Sequence, residues 1–270
     1  MFFPPKAGTP VNVSQVAART GLPITEVKFD FTEQGIAQLD GWWIPAAHKS
    51  DINEATSAAA AKQISHINSS LVVLYCPNGR SILRNNVNAL QSLHSLGVGV
   101  FAFDYRGFGQ SEPGHPSQQK AYADGLAAFQ YLTDIRHIQP SNIVIYGSGV
   151  GAAVAVHVGQ QTPQIAGLML ENPQPSFAKQ VKREQHIHVL PLWLIFPDRL
   201  DITHVVPELK QPKLFLITAK DRDVAALYRQ AISPKQMVDV GSNRNTTLYS
   251  EAAWQQAVGS FLHELMDRHQ

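Results

Sequence analysis

From about residue 70 onward, short uninterrupted apolar runs alternate with longer segments of helical character. Leu71–Tyr75, Val98–Phe103, Ile143–Tyr146, Ile165–Leu170 and Lys213–Thr218 read as strands. They lack polar alternation, as strands buried on both faces do. The segments 84–95, 117–135, 151–161, 223–231 and 250–267 suit helices. Strand–helix–strand alternation predicts an α/β class with a mostly parallel sheet and helices on both faces.

The first part of the chain has a different pattern. Thr25–Phe31 alternates, and Leu39–Ile44 follows after Glu33-Gln34-Gly35, which predicts an antiparallel hairpin at the sheet edge. Residues 46–69 are rich in Ala, Ser, Asn and His and read as a surface insertion. Residues 172–212 carry six prolines, Pro173 to Pro212, with aromatics between them. This segment interrupts the alternation and reads as a small cap over the C-terminal edge of the sheet. Trp193, Phe196, Phe177 and Leu190 would line a pocket beneath it or belong to the core. One domain over 1–270 accounts for the whole pattern.

Composition narrows the class. Hydrophobic residues make up 44% of the chain and charged residues 16%, a balance that suits a large core and no charged tail. The net charge is +1 and no run of Lys or Arg occurs, so nucleic acid is not an expected partner. No apolar stretch reaches the roughly 18 residues of a membrane span. The opening Met1-Phe2-Phe3-Pro4-Pro5 fits a true start or a cut after an anchor. The chain as given is therefore expected in the cytoplasm, and at a membrane if an N-terminal anchor precedes it. The single cysteine, Cys76, lies in an apolar run and reads as a buried small hydrophobe.

The candidate chemistry sits at a strand–turn–helix. Ile143-Val-Ile-Tyr-Gly147-Ser148-Gly149-Val150-Gly151-Ala-Ala-Val-Ala155 places a tight glycine turn between a strand and a small-residue helix. This resembles the nucleophile elbow of α/β-hydrolases, G-x-S-x-G. The residues two before and two after the elbow must be small, so that strand and helix approach closely. Gly147 and Gly151 have that spacing, and the residue between them is Gly149. Ser148 is the alternative nucleophile, but its flanking pair would be the bulky Tyr146 and Val150. A phosphate loop fits less well, because G-x-G-x-x-G is not matched and no GK[ST] follows. No cofactor is expected.

A second segment, Asp104-Tyr105-Arg106-Gly107-Phe108-Gly109-Gln110-Ser111, looks like the D-Y-R-G-x-G-x-S of many α/β-hydrolases. With Phe3-Pro4, Gly41-Trp42-Trp43-Ile44-Pro45 and the elbow, it resembles the small Bem-type and prolyl-oligopeptidase-like α/β-hydrolase domain proteins. The resemblance implies the α/β-hydrolase fold and the catalytic order nucleophile, acid, histidine. It places the acid at Asp221, in Ile217-Thr-Ala-Lys-Asp221-Arg-Asp223-Val224, with Asp223 second. Either carboxylate could equally be a helix cap. In Gly241-Ser-Asn-Arg244-Asn245-Thr-Thr, Arg244 falls where the histidine belongs, and a one-residue shift gives Asn245. Only His263 and His269 follow Asp221, and both belong to the last helix or its end. The oxyanion loop reads Cys76-Pro77-Asn78-Gly79-Arg80-Ser81, so donors would come from Asn78 or Gly79 together with Val150. Asp104 and Arg106 are expected to tie the strand end to its loop.

These departures imply a fold kept for binding a small molecule or a protein, with serine-hydrolase activity lost. The alternative is an active esterase using Ser148 and a non-standard base. His186-Ile-His188, with Glu184 nearby, has the spacing of a metal pair but lacks a completing ligand, so no metal is expected.

Overall fold

The computed structural model describes residues 6–7, 12–31, 37–46, 70–79, 81–176, 200–241, 249 and 252–268. The main sheet has eight strands: β1 Thr25–Phe31, β2 Ala37–Ile44, β3 Val72–Cys76, β4 Gly99–Phe103, β5 Ile143–Ser148, β6 Gly167–Glu171, β7 Lys213–Ile217 and β8 Lys235–Asp239. Their order is β8-β7-β6-β5-β3-β4-β2-β1. The β1–β2 hairpin is antiparallel and joins β4 antiparallel, while the remaining pairs are parallel. The helices are α1 Val13–Thr20, α2 Val87–Ser95, α3 Gln118–Gln130, α4 Gly151–Gln161, α5 Arg222–Gln230 and α6 Ala252–Asp267.

The five strands and the edge hairpin expected from the pattern form, with boundaries shifted by one or two residues. β8 and α1 are additions. β8 is a half-exposed edge strand of sequence Lys-Gln-Met-Val-Asp, so it carries no buried-strand signature. A two-residue parallel bridge also pairs Lys6–Ala7 with Phe108–Gly109. Residues 47–69 of the expected insertion and 177–199 of the expected cap, with His186, His188 and the cap aromatics, lie outside the described residues.

Alternation along each strand builds two cores, one on each face of the sheet. In β3, Val72, Leu74 and Cys76 face the layer holding α3, α4 and α5. Val73 and Tyr75 face the layer holding α2 and α6. The small residues of α4, Ala152, Ala153 and Ala155, let that helix lie close against the sheet. The strand order reverses between β3 and β5, so the loops leaving their C-terminal ends diverge. A crevice at such a switch point is where open α/β sheets bind ligands.

The Asp104–Ser111 segment is locked from within. Asp104 Oδ1 accepts the backbone N–H of Leu83 at 2.9 Å, just after the β3 loop. Tyr105 donates its hydroxyl to Pro77 O at 3.2 Å. Arg106 Nε meets Asp124 Oδ1 at 2.6 Å, and its backbone N–H donates to Asp124 Oδ2 at 2.9 Å. The strand end, the β3 loop and α3 are thus held together.

Burial raises the carboxyls of Asp40 and Asp124 to about 6 and that of Asp104 to about 7. An acid held above its ordinary value keeps its proton longer in the folded state than in the unfolded one. Stability from these groups is therefore fullest below about pH 4 and declines as pH rises to about 7. Asp104→Asn should flatten that decline. Urea denaturation at pH 5 and pH 8 checks this, and slopes identical to the parent would remove Asp104 from the account.

Candidate functional site

The turn between β5 and α4 is built on glycine. Gly149 has φ +56°, in the left-handed region, and its N–H donates to Glu171 O at 2.9 Å. Ser148 is still strand, paired in register with Glu171. Val150 is already in the right-handed helical region and opens α4 without a side-chain cap. A Cβ on Gly147 would lie 2.5 Å from Ala152 Cα, and one on Gly151 would lie 2.2 Å from Cys76 O. Both flanking positions therefore tolerate only glycine. A Cβ on Gly149 would meet the carboxamide of Asn78 first, 2.7 Å from Nδ2 and 3.1 Å from Cγ. The structure thus brings Gly149, Val150 and Asn78 together at the switch point.

Asp221 lies beyond the C-terminal end of β7, where it caps α5. Its Oδ1 accepts the N–H groups of Asp223 at 2.8 Å and Val224 at 3.2 Å. Asp221 and Asp223 also line a recess of about 200 Å³ with Asn172, Ser176 and Ile217. Arg244 and Asn245 lie outside the described residues.

Two of the described histidines are engaged by their own neighbours. His157 on α4 stacks on Tyr122 with ring centroids 4.1 Å apart, and its burial lowers its pKa. His263 on α6 pairs with Asp267 at 3.8 Å.

Ser148 faces a buried polar cluster that the sequence reading missed. Its hydroxyl donates to Glu171 Oε1 at 3.0 Å. Tyr146 donates to Glu171 Oε2 at 2.5 Å, and Tyr249 donates to Oε1 at 3.4 Å. Trp254 Nε1 donates to the Tyr146 hydroxyl at 3.2 Å, and Tyr146 stacks on Tyr75 with centroids 5.3 Å apart. Burial raises the Glu171 carboxyl despite these three donors, which favour the charged form. Burial also pushes the Tyr146 and Tyr249 hydroxyls up, with Glu171 adding to both. The available sequence signal was slight: Tyr75 and Tyr146 each end an apolar run, and the two become register partners.

Cys76 is fully buried, and burial pushes its thiol well up. Among the described residues, no group of three or more His, Cys, Asp or Glu could hold a metal ion, and no helix is long and apolar enough to cross a membrane.

An eight-stranded, mostly parallel sheet with a glycine elbow at its switch point defines an α/β-hydrolase fold. The chain belongs to the serine aminopeptidase S33 family of hydrolases, whose model matches residues 73–257. It is 33% identical over 173 residues to an uncharacterised protein of Mycobacterium tuberculosis, a match covering 62% of this chain and 60% of that protein. It is 38% identical over 81 residues to the Arabidopsis thaliana α/β-hydrolase domain-containing protein WAV2, covering 30% of this chain and 26% of that one. The chain thus spans about 60% or less of the length of these relatives. Among solved structures, an esterase of Pyrococcus furiosus matches with TM-score 0.70 at 19% identity, covering 98% of both chains. An α/β-hydrolase of Vibrio vulnificus matches with TM-score 0.64 at 19% identity, covering 97% of this chain and 87% of that one.

Proposed function

We propose that this chain is an α/β-hydrolase homologue that has lost the serine-hydrolase reaction and binds a small molecule or a protein at the C-terminal edge of its sheet. The observation that carries this reading is Gly149, the left-handed residue between two glycines that admit no side chain. That is the backbone of a nucleophile position, and glycine puts no hydroxyl there. A serine reaction also needs a base to take the hydroxyl proton. On the family's pattern Arg244 occupies the base position, and a guanidinium stays protonated and accepts nothing. Asp221, in the acid position, has Oδ1 committed to the first turn of α5. The backbone donors at Val150 and Asn78 would still hold a carbonyl or carboxylate oxygen, with no side chain at 149 to attack it.

Intact-mass measurement after incubation with a fluorophosphonate, beside ester hydrolysis, tests this. Esters suit as probes because solved neighbours of the same fold include esterases. The expected result is no adduct and turnover at the buffer rate. Loss of whole triads lowers kcat by about a millionfold in a serine protease, which sets the scale of the deficit. Turnover abolished by a change at Asn78 or Val150 would overturn the reading.

One contact favours a second reading. Ser148 Oγ lies 3.0 Å from Glu171 Oε1, and a carboxyl raised by burial is a better proton acceptor than an ordinary one. In that case Glu171 takes the Ser148 hydroxyl proton as Oγ attacks an acyl or phosphonyl centre and the leaving group departs. Against it, Ser148 is only 7% exposed and Glu171 already accepts from two tyrosines. The second reading requires a fluorophosphonate adduct on Ser148 that disappears in Ser148→Ala.

A further inference from the structure

The space beside Gly149 is not vacant. An ideal Cβ there would fall 2.7 Å from Asn78 Nδ2, 3.1 Å from Cγ and 3.5 Å from Oδ1, so the carboxamide crowds the point where a side chain at 149 would begin. The three nearest heavy atoms among the described residues all belong to that carboxamide. The backbone beneath Asn78 is braced: Ser81 N donates to Asn78 O at 2.9 Å, and Tyr105 Oη donates to Pro77 O at 3.2 Å. These bonds hold the backbone at Pro77 and Asn78, so turning the Asn78 side chain is the direct way to open the space.

We propose that Asn78 closes the nucleophile's place, making it a hydrogen-bonding wall that a bound ligand meets in place of an attacking group. Asn78 is then the residue that selects at this site. Its carboxamide offers two N–H donors and an accepting oxygen, so it favours a ligand carbonyl, carboxylate or amide over an apolar acyl chain. This rests on the reading of Gly149 as the nucleophile position, and the test separates the two.

The chain's one native thiol, Cys76, is fully buried and gives little background in thiol alkylation. A thiol introduced by Gly149→Cys would sit at the start of α4, where a helix N-terminus promotes the thiolate, so it needs no partner base. Iodoacetamide alkylation, read by peptide mass, is compared in four proteins: Gly149→Cys and Ser148→Cys, each with and without Asn78→Gly. The thiol at 149 should react slowly beside Asn78 and about tenfold or more faster beside glycine, as exposure governs thiol reactivity. The thiol at 148 faces the Glu171 cluster and should stay slow in both backgrounds. A rate at 149 unchanged by Asn78→Gly, whether fast or slow, overturns the closure by Asn78 and leaves the elbow reading standing. A fast thiol at 148 and a slow one at 149 overturns the elbow reading, and the closure with it. If Gly149→Cys does not fold, Gly149→Ala reads the same conflict. It should lower the melting temperature more in the Asn78 background than in Asn78→Gly, and equal losses would overturn the proposal.

Discussion

Gly151→Ala should destabilise the fold by at least about 3 kcal/mol, more than the usual cost of one extra methyl in a packed core. The added Cβ would lie 2.2 Å from Cys76 O and 2.5 Å from Pro77 O. Both are backbone atoms of β3 and its loop, and that strand pairs with β4 on one side and β5 on the other. No rotamer change relieves the overlap, so α4 must lift from the sheet or β3 must shift. The melting temperature should fall by roughly 6–12 °C on the usual scale for a domain of this size. Gly21→Ala is the control. Gly21 also has a left-handed φ, +71°, but nothing lies within 4 Å of its missing Cβ. Its cost should be only about 1 kcal/mol, the backbone penalty alone. Thermal denaturation of the two variants separates close approach from conformation. Equal losses would show that strand and helix are not in contact at Gly151.

Arg106→Met should cost about 3–5 kcal/mol, the scale of breaking a buried ion pair from one side. Asp124 is fully buried on α3, and Arg106 supplies both its guanidinium and its backbone N–H to that carboxylate. Burial already raises Asp124 to about 6 with the arginine present, and removing the arginine raises it further. The unpaired carboxyl then keeps its proton up to a higher pH than in the parent and is largely neutral at pH 5, so the deficit should shrink from pH 8 to pH 5. Arg106→Lys should recover only part of the loss, because an ammonium lacks the planar fork that reaches Asp124 and Lys120 O together. Urea denaturation at the two pH values measures all three effects. A deficit that does not depend on pH would mean that packing, not the stranded carboxyl, sets the loss.

Much of this was readable in the chain before any fold was known. The buried strands declared themselves by lacking polar positions. The glycine pair at 147 and 151 pointed to Gly149, where the backbone is left-handed and a side chain would first meet Asn78. The shortage of histidines beyond Asp221 is a fact of covalent sequence that no fold can alter. β8 was not readable, because an edge strand is held by pairing to β7 and half its surface is exposed, so its residues need not be apolar. Asp221 was left open between acid and helix cap, and the geometry shows the cap engaged.

Sequence by itself determined the strand–helix order, the glycine elbow and the absence of a serine at Gly149. Hydrophobic runs and residue identity are local properties, so they survive without knowledge of contacts. Tertiary structure decided which groups meet. Ser148 reaches Glu171 across 23 residues of chain, Tyr249 reaches it across 78, and Asn78 comes to lie over Gly149. Such meetings depend on strand order and register, which place the C-terminal ends of β3, β5 and β6 side by side. Hydrogen bonding needs positions good to a few tenths of an ångström, and no periodicity along a chain carries that information.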